Sequence, residues 1–387
     1  MRNGEAMGKG SGIRRLRRRI RHLPTWSKAA ALALVGVVAF FGVAIGMGAA
    51  AERPEEPVAS LDVADAAPDL PVAVADEAAQ PSDTASASAP AAGAVAPAVL
   101  DGASGTADVN LFDASGAQRA VDLSEVPAVA AALEAFRSAG CNAGFVVYDF
   151  ASQRGLGCNA DAAFSSASTI KAPFVAYVAQ ALVDEGGAAL DDEVFEDTVM
   201  EGTGIMASDG QSTYDLATVL TDTIVYSDNT GYALLRNRYS EGFEAWAAAA
   251  GVDAAAWGGE WYPSYTPREL AKLWLGVGGY LRSGGGQASF CEGLLAQTGT
   301  SFIREVLGSD HQVLSKAGYE IDTPLYDMGA LNDAGLVVTD TDVYVIAIMS
   351  DADYDDEYFT DNEHLIVDLA SALGAAHDRL LFEGGVA

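Results

Sequence analysis

Lysine is scarce in this chain. Past Lys28 it occurs only at Lys171, Lys272 and Lys316, in a region crowded with acidic residues. Lysine is therefore not general surface charge here, and each of the three invites a specific explanation. The four histidines, His22, His311, His364 and His377, show no metal-ligand spacing, and no G-x-S-x-G elbow occurs. Both absences argue against a zinc enzyme and against a Ser-His-Asp hydrolase. No metal or organic cofactor is expected.

Basic charge is short overall. The net charge is −32, from 22 Lys/Arg and 54 Asp/Glu. Nine of the basic residues and one acidic residue fall within 1–51, leaving 13 basic and 53 acidic residues for 52–387. A body that acidic repels nucleic acid and anionic lipid, so no nucleic-acid partner is expected. Its plain reading is solubility. Cysteine is rare too. Cys141 and Cys158 flank GFVVYDFASQRGLG, a predicted β-hairpin. An outside location permits a bridge between them, but the pairing register leaves that open. Cys291 is expected as a buried free thiol.

One stretch lacks charge altogether. Residues 29–51, AAALALVGVVAFFGVAIGMGAAA, are long enough to span a bilayer as a helix. Arg14, Arg15, Arg17, Arg18, Arg19, Arg21 and Lys28 precede them, so residues 1–28 read as a basic cytoplasmic segment, and the rest as lying outside. Small residues end the run, which keeps a cleaved, secreted form as the rival. The length favours an uncleaved signal-anchor. Residues 52–108 are rich in Ala, Pro, Asp and Ser and cannot bury enough to fold. They read as a disordered tether.

Half of the chain is apolar, so residues 109–387 can build a sizeable core. SEVPAVAAALEAFRSAG predicts a helix begun by Ser124, followed by a hairpin near 143–158. Most of 176–305 reads as helical. Ser212 or Thr213 is the expected cap of YDLATVLTDTIVY, whose end delivers Ser227-Asp228-Asn229. Residues 267–281 form a helix with proline at its start. HQVLSKAG, LYDMGALND and VYVIAIMSD are antiparallel strand candidates, and a helix over about 361–382 closes the unit. Strands from both ends with helices between them predict an α+β fold. It consists of an antiparallel sheet flanked by helices plus an all-helical lobe.

Within that unit, FSSASTIKAPF places Ser168 and Lys171 three apart at the start of a helix. Positions i and i+3 share a helix face, so the amine can reach the hydroxyl. A serine becomes a good nucleophile when a base takes its proton, and lysine can be that base once its pKa is lowered. The bland alternative is a serine cap beside a solvent-facing lysine.

Two further motifs follow in order, Ser227-Asp228-Asn229 and Lys316-Ala317-Gly318. Together with Ser168-x-x-Lys171 they resemble the active-site set of class A β-lactamases and penicillin-binding proteins. GTGIM at 202–206 and TPRELAKLW support the resemblance, which covers roughly 109–387. It implies that Ser168 is the acylated nucleophile, with Lys171 its base or base partner. Ser227 would pass a proton to the leaving nitrogen. Asn229 would hold Lys171 and a substrate amide. Lys316 would supply positive potential beside Gly318. The N–H groups of Ser168 and Tyr319 would form the oxyanion hole.

Two departures stand out. Ala317 replaces the Thr or Ser usual in the third motif, removing a hydroxyl that helps bind a substrate carboxylate. The family's Ω loop carries a glutamate in an E-x-x-L-N pattern that activates the deacylating water. Here WGGEWYPSYTP, 257–267, is shorter and lacks the pattern. Glu260 is the candidate deacylation base in it, and Trp257, Trp261, Tyr262 and Tyr265 are expected to pack the loop down or to wall the substrate. The resulting expectation is a membrane-anchored extracytoplasmic serine hydrolase, acting on an amide, ester or β-lactam-like substrate of the cell envelope. Rival readings are a D,D-peptidase acting on peptidoglycan peptides, a true class A β-lactamase, and a non-catalytic sensor or binding module.

Overall fold

The computed structural model describes residues 97–321, 329–354 and 362–382. The basic segment, the apolar span 29–51 and the tether up to residue 96 lie outside them. No helix among the described residues is long and apolar enough to cross a membrane.

Seven strands make the main sheet: β1 (Asn110–Asp113), β2 (Gln118–Ala120), β3 (Ala143–Asp149), β4 (Arg154–Cys158), β9 (Gln312–Glu320), β10 (Ala330–Val338) and β11 (Val343–Ser350). Their order is β2-β1-β4-β3-β11-β10-β9, with every neighbouring pair antiparallel. Two short ribbons pair β5 (Phe164–Ser165) with β8 (Ser264–Tyr265), and β6 (Glu193–Phe195) with β7 (Thr213–Asp215). The expected α+β architecture is present.

The sheet is buried on both faces, which is why VYVIAIM is an unbroken apolar run. Alternation sends Val345, Ala347 and Met349 toward the helical lobe, and Tyr344, Ile346 and Ile348 toward the opposite layer. The helices Pro127–Ala139, Phe302–Leu307 and Glu363–His377 cover that opposite face. On the lobe side the main cover is the helix Pro267–Ser283. Its start is fixed locally. Thr266 accepts from the Glu269 N–H, Glu269 reaches back to the Thr266 N–H, and Pro267 needs no donor. Burying a side chain such as Leu273 or Leu270 on this face contributes about 1.5–3 kcal/mol.

Several local expectations are corrected. The described residues already pack at Pro97–Gly102, within the stretch assigned to the tether, where Leu100 is fully buried. Arg268 holds the Leu100 and Ala103 carbonyls, and Lys272 pairs with Asp101 at 2.7 Å. That accounts for one of the three lysines. Ser124 does not begin a helix. It is bound into a turn with Asp122, and the helix starts at Pro127. Asp215, rather than Ser212 or Thr213, caps the helix Leu216–Val225, because the helix starts only after β7 ends and the Asp215 side chain accepts from the Thr218 N–H. Strand β10 runs five residues beyond LYDMGALND, whose first part lies outside the described residues. Cys158 carries a free thiol that donates to the Ala107 carbonyl, so the bridge to Cys141 is not formed. The register places Cys158 opposite Phe145, four residues beyond Cys141. Cys291 is a buried free thiol, as expected.

At one end of the sheet lies a closed charged cluster. His377 Nε2 meets Asp149 Oδ2 at 2.8 Å and its Nδ1 meets Asp378 at 2.9 Å, with Tyr344 stacked on the ring. Burial alone would lower the His377 pKa, but the two carboxylates outweigh it and raise it. Burial would likewise raise Asp149, yet bonds from His377, Asp342 and Ser152 hold it low. Asp342, buried beside the ionised Asp149, is pushed up to about 7.

Candidate active site

The segment carrying Ser168 is built for exposure at a price in local strain. It leaves β5, turns through Ala167 and forms a 3₁₀ turn, Ala167–Ile170, continued by the α-helix Lys171–Tyr177. Ala167 has φ +42°, a left-handed conformation uncommon for a residue with a Cβ. The surroundings hold it there. The Ser166 N–H donates to the Pro263 carbonyl at 2.9 Å, and Thr169 Oγ1 lies 2.6 Å from Tyr265 Oη. Ser168 itself is partly exposed, and its hydroxyl has no hydrogen bond among the described residues. Pro173 sits in the first turn of the helix, where a missing N–H does no harm.

Lys171 is fully buried at the floor. Its Nζ donates to the Ser227 carbonyl at 2.6 Å and to Asn229 Oδ1 at 2.7 Å, with Ser227 Oγ at 3.4 Å. These partners are neutral oxygens. Burial first, and the charge of Lys316 second, pull the Lys171 pKa well below its usual value, against the opposing pull of Asp228. A buried amine in that state is available to accept a proton.

Ser227 and Asn229 come from a strained corner. Ser227 has φ +54°, between the helices Leu216–Val225 and Asn229–Tyr239. Asp228 caps the second helix through the Gly231 N–H at 2.8 Å. Its other oxygen accepts from the Ile205 and Met206 N–H groups at 2.5 and 2.8 Å. That is what the GTGIM loop does: it clamps Asp228. Gly204 is required there, since a Cβ would fall 2.1 Å from the Asp228 carboxylate. Thr203 Oγ1 donates to the Ser227 carbonyl at 2.6 Å.

The opposite wall is β9, the edge strand of the sheet. Its face alternates, so Lys316, Gly318 and Glu320 point one way. Lys316 Nζ lies 3.0 Å from Ser227 Oγ and 2.7 Å from the Ala317 carbonyl, and burial brings its pKa to about 7. Gly318 packs directly on the serine turn. A Cβ there would sit 2.7 Å from Ser168 N and 2.6 Å from Thr169 N. Glycine alone allows the strand to approach so closely. Ala317 faces the other side of the sheet and is fully buried.

The structure thus brings Lys171, Ser227, Asn229 and Lys316 into one hydrogen-bonded network, with Ser168 and Gly318 on its border. An open cleft of about 420 Å³ is lined by Thr203, Tyr226, Ser227, Thr300, Lys316 and Tyr319, among others. Glu260 is not in the network. Its side chain is exposed and makes no hydrogen bond among the described residues. The residue of that loop that does reach the network is Tyr262, which donates to Asn229 Oδ1 at 3.1 Å. Tyr232 and Tyr262 each lie 5.8 Å from Lys171 Nζ, forming the aromatic lining of its pocket.

Two supporting residues escape a motif reading. Asn332 on β10 donates to the Ser165 carbonyl at 2.8 Å and accepts from Ser350 N–H at 3.0 Å, tying the serine turn to the sheet. Asp333 beside it is fully buried, accepts from Ser301 and the Ile303 N–H, and is pushed up to about 6 by burial. The signal was an Asn-Asp pair inside the otherwise apolar strand ALNDAGLVV.

The model of the beta-lactamase enzyme family matches residues 127–377. The fold is similar to that of PBP-A, at 22% identity, over 65% of this chain and 96% of that chain, with a TM-score of 0.55. It is also similar to a beta-lactamase from Sphaerobacter thermophilus DSM 20745, at 22% identity, over 65% and 96%, with a TM-score of 0.53. A PBP-A mutant solved as an acyl-enzyme complex with penicillin G is a third similar structure, at 21% identity, over 65% and 97%, with a TM-score of 0.53. No curated protein matches the chain.

Proposed function

The match over 127–377 spans well over half of the chain, which therefore belongs to the beta-lactamase enzyme family, and we propose that it works by acyl transfer through an ester on Ser168. One observation carries this reading. Lys171 is a buried amine held by neutral oxygens one helical turn from a serine whose hydroxyl is uncommitted. Lys171 takes the Ser168 proton as Oγ attacks a substrate carbonyl. The carbonyl oxygen becomes an oxyanion and is met by the N–H groups of Ser168 and Tyr319, the latter on the open edge of β9. Ser227 Oγ, bridged between Lys171 and Lys316, passes a proton to the departing group. Asn229 orients Lys171 and has its Nδ2 on the Glu201 carbonyl at 3.1 Å.

The substrate class is an amide, ester or β-lactam of the cell envelope. The envelope location rests on the seven basic residues from Arg14 to Lys28, just before an uncharged span of 23 residues, 29–51. On this proposal the span anchors the chain in the membrane, with the site outside the cell. Protease added from outside should then release the folded body. Mature protein in the medium with its N-terminus near Ala51 would show cleavage instead. A D,D-peptidase acting on peptidoglycan peptides is the second reading. It is favoured by a 257–265 loop that brings no carboxylate into the Lys171 network.

The test of the chemistry is intact-mass analysis after exposure to penicillin and to activated esters. Wild type should gain one acyl mass, and Ser168→Ala should gain none. Equal labelling of the two would refute the assignment.

A further inference from the structure

The family's loop glutamate is missing, and Glu260 is exposed and outside the network. Another carboxylate stands on the strand that packs against the serine turn. Glu320 is the last residue of β9 and shares the strand face of Lys316 and Gly318. Those three residues follow one another along the strand that packs on the serine turn. Lys316 touches Ser227, Gly318 lies against the backbone N atoms of Ser168 and Thr169, and Glu320 reaches the field of Tyr262 on the far side. Tyr319, whose N–H faces the developing oxyanion on the reading above, is its chain neighbour.

Glu320 is also uncommitted. It is only partly exposed, and its carboxylate has no hydrogen bond or ion pair among the described residues. Burial raises its pKa. A half-buried carboxylate with a raised pKa and no partner is poised as a general base. The other carboxylate at the site, Asp228, is fully used by three backbone N–H groups.

We propose that Glu320, on the edge strand rather than the loop, is the base that activates water to hydrolyse the Ser168 acyl-enzyme. This rests on the acyl-transfer reading of Ser168. The Glu320 carboxylate takes a proton from water while the water oxygen bonds to the acyl carbon. The carbonyl electrons move onto the oxygen facing the N–H pair. They return as the bond from carbon to Ser168 Oγ breaks, and the proton held by Glu320 goes back to Oγ. Water is thereby divided between the acid product and the restored serine. The loop alone predicts an acyl-enzyme without a deacylation base; the strand supplies one.

The experiment is pre-steady-state turnover of a chromogenic activated ester by the full chain, followed in parallel by intact mass. Glu320→Gln should keep a burst of about one product per protein at the wild-type acylation rate. Its steady-state turnover should fall by about 10²–10⁴-fold, with the acyl mass building up on Ser168. Glu320→Asp should recover part of the turnover. Wild-type turnover in Glu320→Gln would overturn the proposal. So would loss of the burst together with turnover, which would mark a structural role. Loss of turnover in Glu260→Gln but not in Glu320→Gln would move the base to the loop. Absence of an acyl mass in both wild type and Glu320→Gln would refute the Ser168 reading itself, and this proposal with it.

Discussion

Two groups of buried ionisable side chains sit on the main sheet, and they are built on opposite principles. The His377 cluster lies against Tyr344 near the start of β11, whereas Lys316 stands two strands away on β9, level with Ala347, with Lys171 close enough to feel its charge. In the cluster each charge meets a counter-charge: His377 has a carboxylate on each ring nitrogen. At the lysines the hydrogen-bond partners are neutral oxygens, Lys171 also feels the charge of Lys316, and burial lowers both pKa values. The backbone differs likewise. Left-handed Ala167 and Ser227 border the lysines, and a cleft opens beside them. The contrast separates stability from chemistry. Paired buried charges hold the C-terminal helix to the sheet, whereas unpaired amines are poised for proton transfer at a cost in stability.

The comparison breaks first at Lys171. Lys171→Met should slow acylation by about 10²–10⁴-fold, the scale for losing a general base. Because it removes a desolvated amine, it should not lower the melting temperature, and a rise is expected. A large drop on calorimetry would show that Lys171 is structural after all. Asp149→Ala should do the reverse. Stranding His377 in the core should cost about 3–5 kcal/mol, read by urea unfolding. Acylation per folded molecule should be unchanged.

Gly318→Ala tests the close approach of β9. The added methyl would push on the backbone of Ser168 and Thr169. A displacement near 1 Å should cost about 10²-fold in acylation. Wild-type rates in this variant would show that the strand stands off from the turn.

The smallest expected effect concerns pH. Asp342 and His377 have raised pKa values, so the folded state binds their protons more tightly. Their contribution is complete at acidic pH and is lost as pH rises, for Asp342 through about 7. Asp149 is lowered, so its contribution is present above the ordinary carboxylate range and fades only at lower pH. Melting temperature should therefore decline between pH 5.5 and 8.5. Asp342→Asn, neutral throughout, should flatten that decline. An identical slope in the variant would remove Asp342 from the account.

Much of the candidate site was legible in the chain because its motifs are local. Ser168 and Lys171 are one turn apart, Ser227 to Asn229 is a single corner, and Gly318 follows Lys316 on one strand. Scarcity of lysine added the signal that these cations were not surface decoration. The loop 257–267 could be seen to lack the usual glutamate pattern. Its replacement contact, Tyr262 on Asn229, could not be seen, because it depends on how the β5–β8 ribbon aims the loop.

The sequence by itself determined the element types, the two-faced apolar strands and the three motifs, since these follow from periodicity and short-range chemistry. Only the tertiary structure decided which charges were left unpaired. Asp149 and His377 are 228 residues apart and look unrelated in the chain, yet they close on each other. Asn332 secures the serine turn across 167 residues. Glu320 comes onto the strand face of Lys316 and Gly318 because β9 is the sheet's edge and packs on the serine turn. Charge, burial and reach are properties of neighbours in space, and the order of residues along a chain does not contain them.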